Sequence, residues 1–288
     1  MMLSLLIALL PVLQVLPLVA PPSYVPERVF DTRQKGFSDF EAMLADLARA
    51  DAVFVGEQHD DPNTHRLELA ILEGLARRGV PLIVSLEMFE RDVQPSLDRY
   101  TAGEITEPEF LKNARPWPRY ATDYRPLVEF ARARKVRVIA SNVPRRIASG
   151  VGKTGLEAIE TLGGDRPLAA RELACPPSGS YFDRFAAAMG GHQGASPNFY
   201  YAQCVKDETM GEAIADAFAK TPGRVTIVHV SGAFHSDFGE GAAESARRRM
   251  PGRRIAVVTV LPVADIDTIA PAGDDLKRGD FLLFTIKK

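Results

Sequence analysis

The side chains best suited to chemistry in this chain stand at the ends of short apolar runs. Glu57 and His59 end one such run, and Glu87 ends a second. His235 lies just beyond a third. Two carboxylates and two imidazoles form a suitable ligand set for Zn²⁺, Mn²⁺ or Fe²⁺. The same groups could also work without a metal, as a general base whose imidazole is oriented by a carboxylate.

The apolar runs have the length and β-branched content of buried strands, and helical patterns separate the first three of them. Because the runs are apolar on both faces and alternate with helices, they predict an α/β fold with a mostly parallel central sheet flanked by helices. Helical insertions are expected at about 91–135 and 150–220. The predicted strands are 52–56, 81–86, 136–141, 225–230, 255–260 and 281–286, and the clearest predicted helices are 64–78 and 127–135. Asp61 and Pro62 are the predicted cap and first position of the 64–78 helix.

In a parallel sheet, ligands bind in the crevice beyond the carboxyl ends of the strands. The 136–141 run delivers three more polar side chains to this edge, namely Asn142, Arg145 and Arg146. We therefore expect one shared site, with the carboxylate oxygens of both glutamates within about 8 Å of the imidazole nitrogens of both histidines, a reach compatible with a shared ion.

Each of these residues also has a purely structural interpretation. Glu57 and His59 could cap the helix that follows them, because a helix amino terminus favours a carboxylate. Glu87 could be a buried carboxylate paired with Arg145 or Arg146. His235 by itself could be a hydrogen-bonded structural histidine.

The three remaining histidines are interpreted from their positions in the predicted elements. His229 lies inside an apolar run and is expected in the core, whereas His65 in the first turn of a helix is expected to be solvated or to support the site. His192 lies in a glycine-rich segment that leaves its role open.

Composition and motifs exclude several functional classes. The 288 residues are 46% hydrophobic and 25% charged with a net charge of −2, which is typical of a globular protein and argues against nucleic-acid binding. The sequence contains no G-x-S-x-G nucleophile elbow and no P-loop.

The first 26 residues contain no charged side chain and are apolar up to about residue 20. They predict an export signal or a short membrane anchor, the alternative being an amino-terminal extension included in error. Residues 27–288 are then a single α/β domain that is exported, periplasmic or membrane-associated in the cell envelope. Cys175 and Cys204 could form one disulfide after export, or remain two thiols in the cytosol.

Five segments between residues 52 and 239 resemble the ChaN-type haem-binding uptake family, of the superfamily that includes Tiki proteases, TraB proteins and erythromycin esterases. They are GEQHDDPNTHRLELAILEGL, SLEMFERDVQPSLDRYTAGEITEPEFL, YRPLVEFARARKVRVIASNVPRRIA, NFYYAQCVKDETMGEAI and HVSGAFHSDFG. The resemblance implies an α/β sheet and an association with haem or iron acquisition. It maps the functional glutamate and histidine positions of the superfamily onto Glu57, His59, Glu87 and His235.

Haem iron would need an axial tyrosine or histidine, and the propionates would need cations. Arg145 and Arg146 are the cations expected to meet the propionates. Lys206 stands where the family pattern leads us to expect tryptophan, and haem could also lie at a homodimer interface. The candidate axial ligands are Tyr124, Tyr181, Tyr200, Tyr201 and His192.

Three functional hypotheses follow from the sequence. The first is a cell-envelope protein that binds haem or iron for uptake. The second is a metal-dependent hydrolase, esterase-like or protease-like, that uses the four glutamates and histidines. The third is an interaction protein that keeps the fold without chemistry.

Overall fold

The structure is a computed structural model that describes residues 25–190 and 197–288. The predicted leader therefore lies almost entirely outside the described residues, and so does His192. Within the described ranges, no helix is both long enough and apolar enough to cross a membrane.

Eight strands and ten α-helices make up the regular structure of the described chain. The strands are β1 (Glu27–Asp31), β2 (Gly36–Ser38), β3 (Ala52–Glu57), β4 (Leu82–Glu90), β5 (Arg137–Asn142), β6 (Thr226–Gly232), β7 (Ile255–Val263) and β8 (Phe281–Ile286). The helices are α1 (Phe40–Leu47), α2 (Pro62–Arg77), α3 (Gln94–Thr101), α4 (Glu107–Ala114), α5 (Arg125–Arg134), α6 (Arg145–Thr154), α7 (Glu157–Glu160), α8 (Ser180–Ala188), α9 (Asn198–Lys220) and α10 (Ala242–Arg249).

All eight strands form one sheet in the order β2-β1-β8-β7-β3-β6-β4-β5. The six strands from β8 to β5 are parallel to one another, whereas β1 pairs antiparallel with both β2 and β8. The predicted α/β class and the mostly parallel sheet are confirmed. Strands β1 and β2 were not predicted, because β1 mixes charged with apolar residues and β2 is only three residues long.

Two apolar layers enclose the central strands. Every residue of β3 and of β6 is buried, as expected for strands that are covered on both faces. Helix α2 packs its apolar stripe on one face of the sheet, with Leu67, Ile71 and Leu75 buried. On the other face lie α9 and α10, which contribute Met210, Ile214 and three alanines of α10 to a second cluster.

Local signals define where α2 begins. Asp61 caps the helix by accepting a hydrogen bond from the Thr64 N–H at 2.9 Å, and Pro62 occupies the first turn. This arrangement confirms the predicted cap. It also means that the carboxylate and imidazole before Asp61 do not cap the helix and are available for other contacts.

Helix α9 is joined covalently to the segment that precedes α8. Cys175 and Cys204 form a disulfide, which closes the described chain across 29 residues of sequence. The bond restrains the segment from which α8 begins, and α8 contributes to the candidate site.

Candidate functional site

Glu57, the last residue of β3, is a buried carboxylate surrounded by hydrogen-bond donors. Its Oε1 accepts from His59 Nδ1 and, at 2.9 Å, from the Tyr124 hydroxyl. Its Oε2 lies 3.3 Å from His65 Nδ1. Burial alone would raise the pKa of Glu57, but the His59 and His65 imidazoles outweigh it and lower the pKa to about 2.

His59 has one ring nitrogen without a hydrogen bond from the described residues. Its Nδ1 is held by Glu57, its Nε2 lies beside Gly232, and 48% of the side chain is exposed. The ring of Trp117 packs edge-on against the imidazole at 5.2 Å between centroids. Burial would lower the pKa of His59, but the charges of Glu57 and Glu87 raise it. A carboxylate that fixes one imidazole nitrogen and leaves the other free is the arrangement seen in metal-binding histidines.

His235 is held at both nitrogens. Its Nε2 lies 3.1 Å from Glu87 Oε1, and its Nδ1 lies 2.6 Å from Asp207 Oδ1. Tyr181 donates its hydroxyl hydrogen bond to the other Asp207 oxygen. Burial opposes protonation of His235, but the two carboxylates outweigh it and raise its pKa to about 10. The pKa of Glu87 falls to about 2, because His235, His59 and the Gly232 N–H outweigh the effect of its burial.

The two carboxylate–imidazole pairs meet at Gly232, the last residue of β6. The Gly232 N–H donates to Glu87 Oε2 at 2.8 Å. A Cβ at Gly232 would stand 2.8 Å from His59 Nε2 and 3.8 Å from Glu87 Oε2, so these two atoms are less than 8 Å apart. The structure therefore brings His59 and Glu87 as close as the sequence predicts, and only a glycine leaves space for the imidazole.

A cleft of about 380 Å³ opens above this junction. Its floor is polar and its walls are mostly apolar. Lys206 is the one lysine or arginine among the residues that line it, and no ion pair or hydrogen bond links its ammonium group to the described chain. The walls and floor are formed by His59, Glu87, Trp117, Phe185, Ala188, Met189, Gln203, Lys206, Gly232, Phe234 and His235.

The tyrosines considered as haem ligands do not line this cleft. Tyr181 and Tyr200 line a separate cavity of about 390 Å³ beside the disulfide. Tyr124 is buried with its hydroxyl on Glu57, and Tyr201 packs against the apolar cluster beneath α6. Burial and the neighbouring Asp207 charge raise the pKa of Tyr181, which disfavours the phenolate form that binds iron.

The polar residues after β5 also lie apart from the cleft. Arg146 pairs with Asp92 at 2.7 Å and with Asp165 at 2.9 Å. Arg145 is exposed at the start of α6, and Asn142 is buried at the end of β5. The suggested pairing of Glu87 with one of these arginines is wrong, because Glu87 contacts His235 instead.

The two remaining described histidines differ from each other. His229 is buried in β6 and hydrogen-bonds Ser85 at 2.9 Å, which confirms the core assignment, and burial lowers its pKa to about 3. His65 is buried rather than solvated, and it contacts Glu57, Glu68 and Asp123.

Four residues around the site were not predicted from the sequence, namely Glu68, Asp207, Trp117 and Phe234. Asp207 and Glu68 could have been noticed as acidic residues on the otherwise apolar stripes of their helices. Phe234 directly precedes His235 and could have been noticed from that position, whereas nothing in the sequence places Trp117 beside His59, because Trp117 comes from a distant loop.

We predict that Asp207→Asn weakens the pH dependence of stability above neutrality. A raised pKa means that the His235 contribution is complete below its ordinary pKa of 6.5 and is lost as the pH rises through about 10. The Glu87 contribution is complete above its ordinary 4.5 and is lost as the pH falls through about 2. Because Asp207→Asn lowers the pKa of His235, urea unfolding should show a shallower loss of stability between pH 6.5 and 10. Asp216→Asn on the same helix is the control, and equal slopes in both variants would contradict the prediction.

Comparison with known proteins identifies the family. The family described as "Haem-binding uptake, Tiki superfamily, ChaN" matches residues 43–245. The chain is also similar to Protein RETICULATA-RELATED 5, chloroplastic, of Arabidopsis thaliana, with 28% identity over 241 residues. That match covers 75% of this chain and 32% of the plant protein, so the chain spans about a third of that relative.

Two solved structures share the fold. ChaN of Campylobacter jejuni, whose structure is described as binding haem cofacially, aligns with a TM-score of 0.63 and 18% identity, over 90% of this chain and 96% of that one. The type III effector HopBA1 aligns with a TM-score of 0.50 and 9% identity, over 94% and 100%. Given the family match over most of its length, the chain belongs to the haem-binding uptake family of ChaN, in the Tiki superfamily.

Proposed function

We propose that this protein binds haem in the cleft above Gly232, with Nε2 of His59 as the axial ligand of the iron. The observation that supports the proposal is the difference between the two ring nitrogens of His59. Its Nδ1 is fixed by a buried carboxylate while its Nε2 is free and faces the cleft. A proximal histidine is a common haem ligand, and a carboxylate on its other nitrogen raises its basicity.

The walls of the cleft fit a flat apolar ligand. Trp117, Phe185 and Phe234 offer ring surfaces, and Met189 is 40% exposed at the rim. Ligand sites are typically apolar cavities of a few hundred Å³ with a small number of polar groups, and this cleft has that character. Bound haem would supply an iron centre for ligand binding or electron transfer. The side chains around it would orient the ring and exclude water.

Lys206 is the cation that would meet a propionate. It lines the cleft without a described ion-pair partner, whereas Arg146 is already neutralised by two aspartates. The position at which the family pattern suggests an aromatic side chain thus carries a charge suited to a carboxylate.

A role in haem or iron uptake is part of this proposal and is supported by the family to which the chain belongs. Export to the cell envelope, membrane association through residues 1–26 and a homodimer remain predictions from the sequence.

His59→Ala should abolish the Soret band that the wild-type protein develops at about 400 nm on haem titration. Tyr200→Phe/Tyr201→Phe is the matched control and should keep the band, because neither ring lines the cleft. Loss of the band in the tyrosine variant, with retention in His59→Ala, would place the iron on a tyrosine and refute the histidine assignment.

Lys206→Met should weaken haem binding about tenfold, the loss expected for one charge-assisted hydrogen bond. Haem dimethyl ester has no free propionates, so its affinity should be the same for the wild-type and the variant. Lys220→Met on the same helix is the control, since Lys220 pairs with Asp216 outside the cleft. If Lys206→Met weakens haem and the ester equally, the propionate contact is refuted while haem binding itself stands.

A second candidate function, hydrolysis, is favoured by the two carboxylate–imidazole pairs on one cleft floor. His59 Nε2, oriented by Glu57, could take a proton from water, and the protonated His235 could stabilise developing negative charge. The test is a panel of ester and peptide substrates at neutral pH.

Under this hypothesis His235→Ala and Glu57→Gln each abolish hydrolysis, and His235→Ala leaves the Soret band in place. A wild-type protein that turns over no substrate in the panel would leave haem binding as the function of the cleft.

A further inference from the structure

A second cluster of ligating groups lies behind Glu57, on the side away from the cleft. It consists of Glu57, His65 and Glu68, which together offer one nitrogen and two oxygens within 4.8 Å of one another. All three are deeply buried, with exposed fractions of 2%, 4% and 0%. Glu57 belongs to β3, and the other two belong to α2, so the cluster joins the sheet to its covering helix.

We propose that this cluster binds a divalent first-row transition-metal ion, with Glu57 Oε2, a Glu68 carboxylate oxygen and His65 Nδ1 as its ligands. The ion would have a structural role, and the proposal does not depend on haem binding or hydrolysis.

First, two carboxylate oxygens of the cluster lack a hydrogen-bond donor among the described residues. Glu57 Oε2 and Glu68 Oε1 are buried and accept no hydrogen bond from the described chain. The His65 imidazole lies 3.3 Å from Glu57 Oε2 without a hydrogen bond between them, and the Glu68 carboxyl is the other close neighbour of Glu57. Buried carboxylate oxygens normally have hydrogen-bond donors, so two such acceptors in one cluster indicate a cation between them.

The second argument is the spacing of the ligand atoms. His65 Nδ1 lies 3.3 Å from Glu57 Oε2 and 3.3 Å from Glu68 Oε2. Ligands about 2.1 Å from a shared ion are separated by about 3.0–3.4 Å in octahedral or tetrahedral geometry. Two of the three ligand separations therefore already match a coordination site, and all three ligand atoms lie within 4.8 Å of one another.

The third argument is the orientation of His65. Its Nε2 lies 3.2 Å from the His59 carbonyl oxygen and 3.5 Å from Asp123 Oδ2. Arg119 in turn holds Asp123 through its Nε at 2.7 Å. A metal-binding histidine usually donates its second N–H to a carbonyl or carboxylate, and this interaction leaves the Nδ1 lone pair for the ion.

The ligand chemistry selects the class of ion. Two carboxylates and one imidazole suit Mn²⁺, Fe²⁺ or Zn²⁺, whereas Mg²⁺ prefers an all-oxygen shell with retained waters. A divalent ion also balances the two buried carboxylates with a neutral imidazole. Two protons could balance the carboxylates instead of the ion, one on Glu68 and one on the His65 imidazole. The experiment must therefore distinguish a bound ion from these two protons.

A cavity borders the cluster on the side of His65. It has a volume of about 390 Å³ and is lined by His65 and Asp123, with Arg66 and Arg119 among its other walls. An ion that enters there reaches His65 without passing through the cleft. Once bound, it would fix the carboxylate that orients His59, and so support the cleft from below.

The test is elemental analysis of the full-length protein, purified without chelators, together with thermal unfolding before and after metal exchange. We expect about one Mn, Fe or Zn per chain. After stripping, Mn²⁺ or Zn²⁺ should raise the Tm by about 5–10 °C at saturation, and Mg²⁺ should not.

Glu68→Gln separates the two charge-balancing schemes, because glutamine has the shape of a protonated glutamate. It should lose both the ion and the metal-dependent rise in Tm, whereas Glu73→Gln on the exposed face of α2 should keep them. His235→Asn should also keep the ion.

Three results would overturn the proposal. The first is a wild-type protein with less than about 0.1 ion per chain and no Tm response to Mn²⁺ or Zn²⁺. The second is a Glu68→Gln variant as stable as the stripped wild-type that still binds the ion. The third is loss of the ion in His235→Asn with retention in Glu68→Gln, which would place it in the cleft. If Glu68→Gln does not fold, stripping and reloading the wild-type protein decides whether the cluster binds an ion.

Discussion

The structure around the site depends on one buried anion, the carboxylate of Glu57. A carboxylate at 2% exposure is costly unless donors and positive charge surround it. Here two donors, His59 in the following turn and Tyr124 before α5, hydrogen-bond the carboxylate, and the His65 imidazole of α2 lies 3.3 Å from it. The position of Glu57 therefore determines where each of those segments can lie.

The order of the strands places Glu57 at the edge of the sheet where the cleft lies. Strands β3, β6 and β4 are neighbours, so the carboxyl ends that carry Glu57, Gly232 and Glu87 lie side by side. Gly56 allows the chain to close up here, because a Cβ at that position would stand only 2.9 Å from the Ala233 Cα. Gly56 and Gly232, at adjacent strand ends, thus let Ala233 and His59 approach the backbone more closely than a residue with a Cβ would allow.

The two imidazoles have different chemistry because their surroundings differ. Both nitrogens of His235 are engaged by carboxylates, which stabilise its charged form and leave no lone pair for a ligand. His59 is engaged at one nitrogen and open at the other. One histidine thus contributes a fixed positive charge to the cleft floor, and the other offers a basic nitrogen. Burial alone would not have produced this difference, since it lowers the pKa of both residues.

Sequence patterns by themselves determined the α/β class, six of the eight strands, the cap of α2 and the candidate residues at three strand ends. These features follow from local periodicity and from the rule that parallel strands share a functional edge. The tertiary structure decided what each residue contacts. Asp207 reaches His235 from 28 residues away, and Arg146 is neutralised by aspartates from two other segments. The tyrosines that suit haem chemically are divided between one separate cavity, the buried contact with Glu57 and an apolar cluster. Side-chain partners depend on how distant elements pack, and periodicity along a single chain contains no information about that packing.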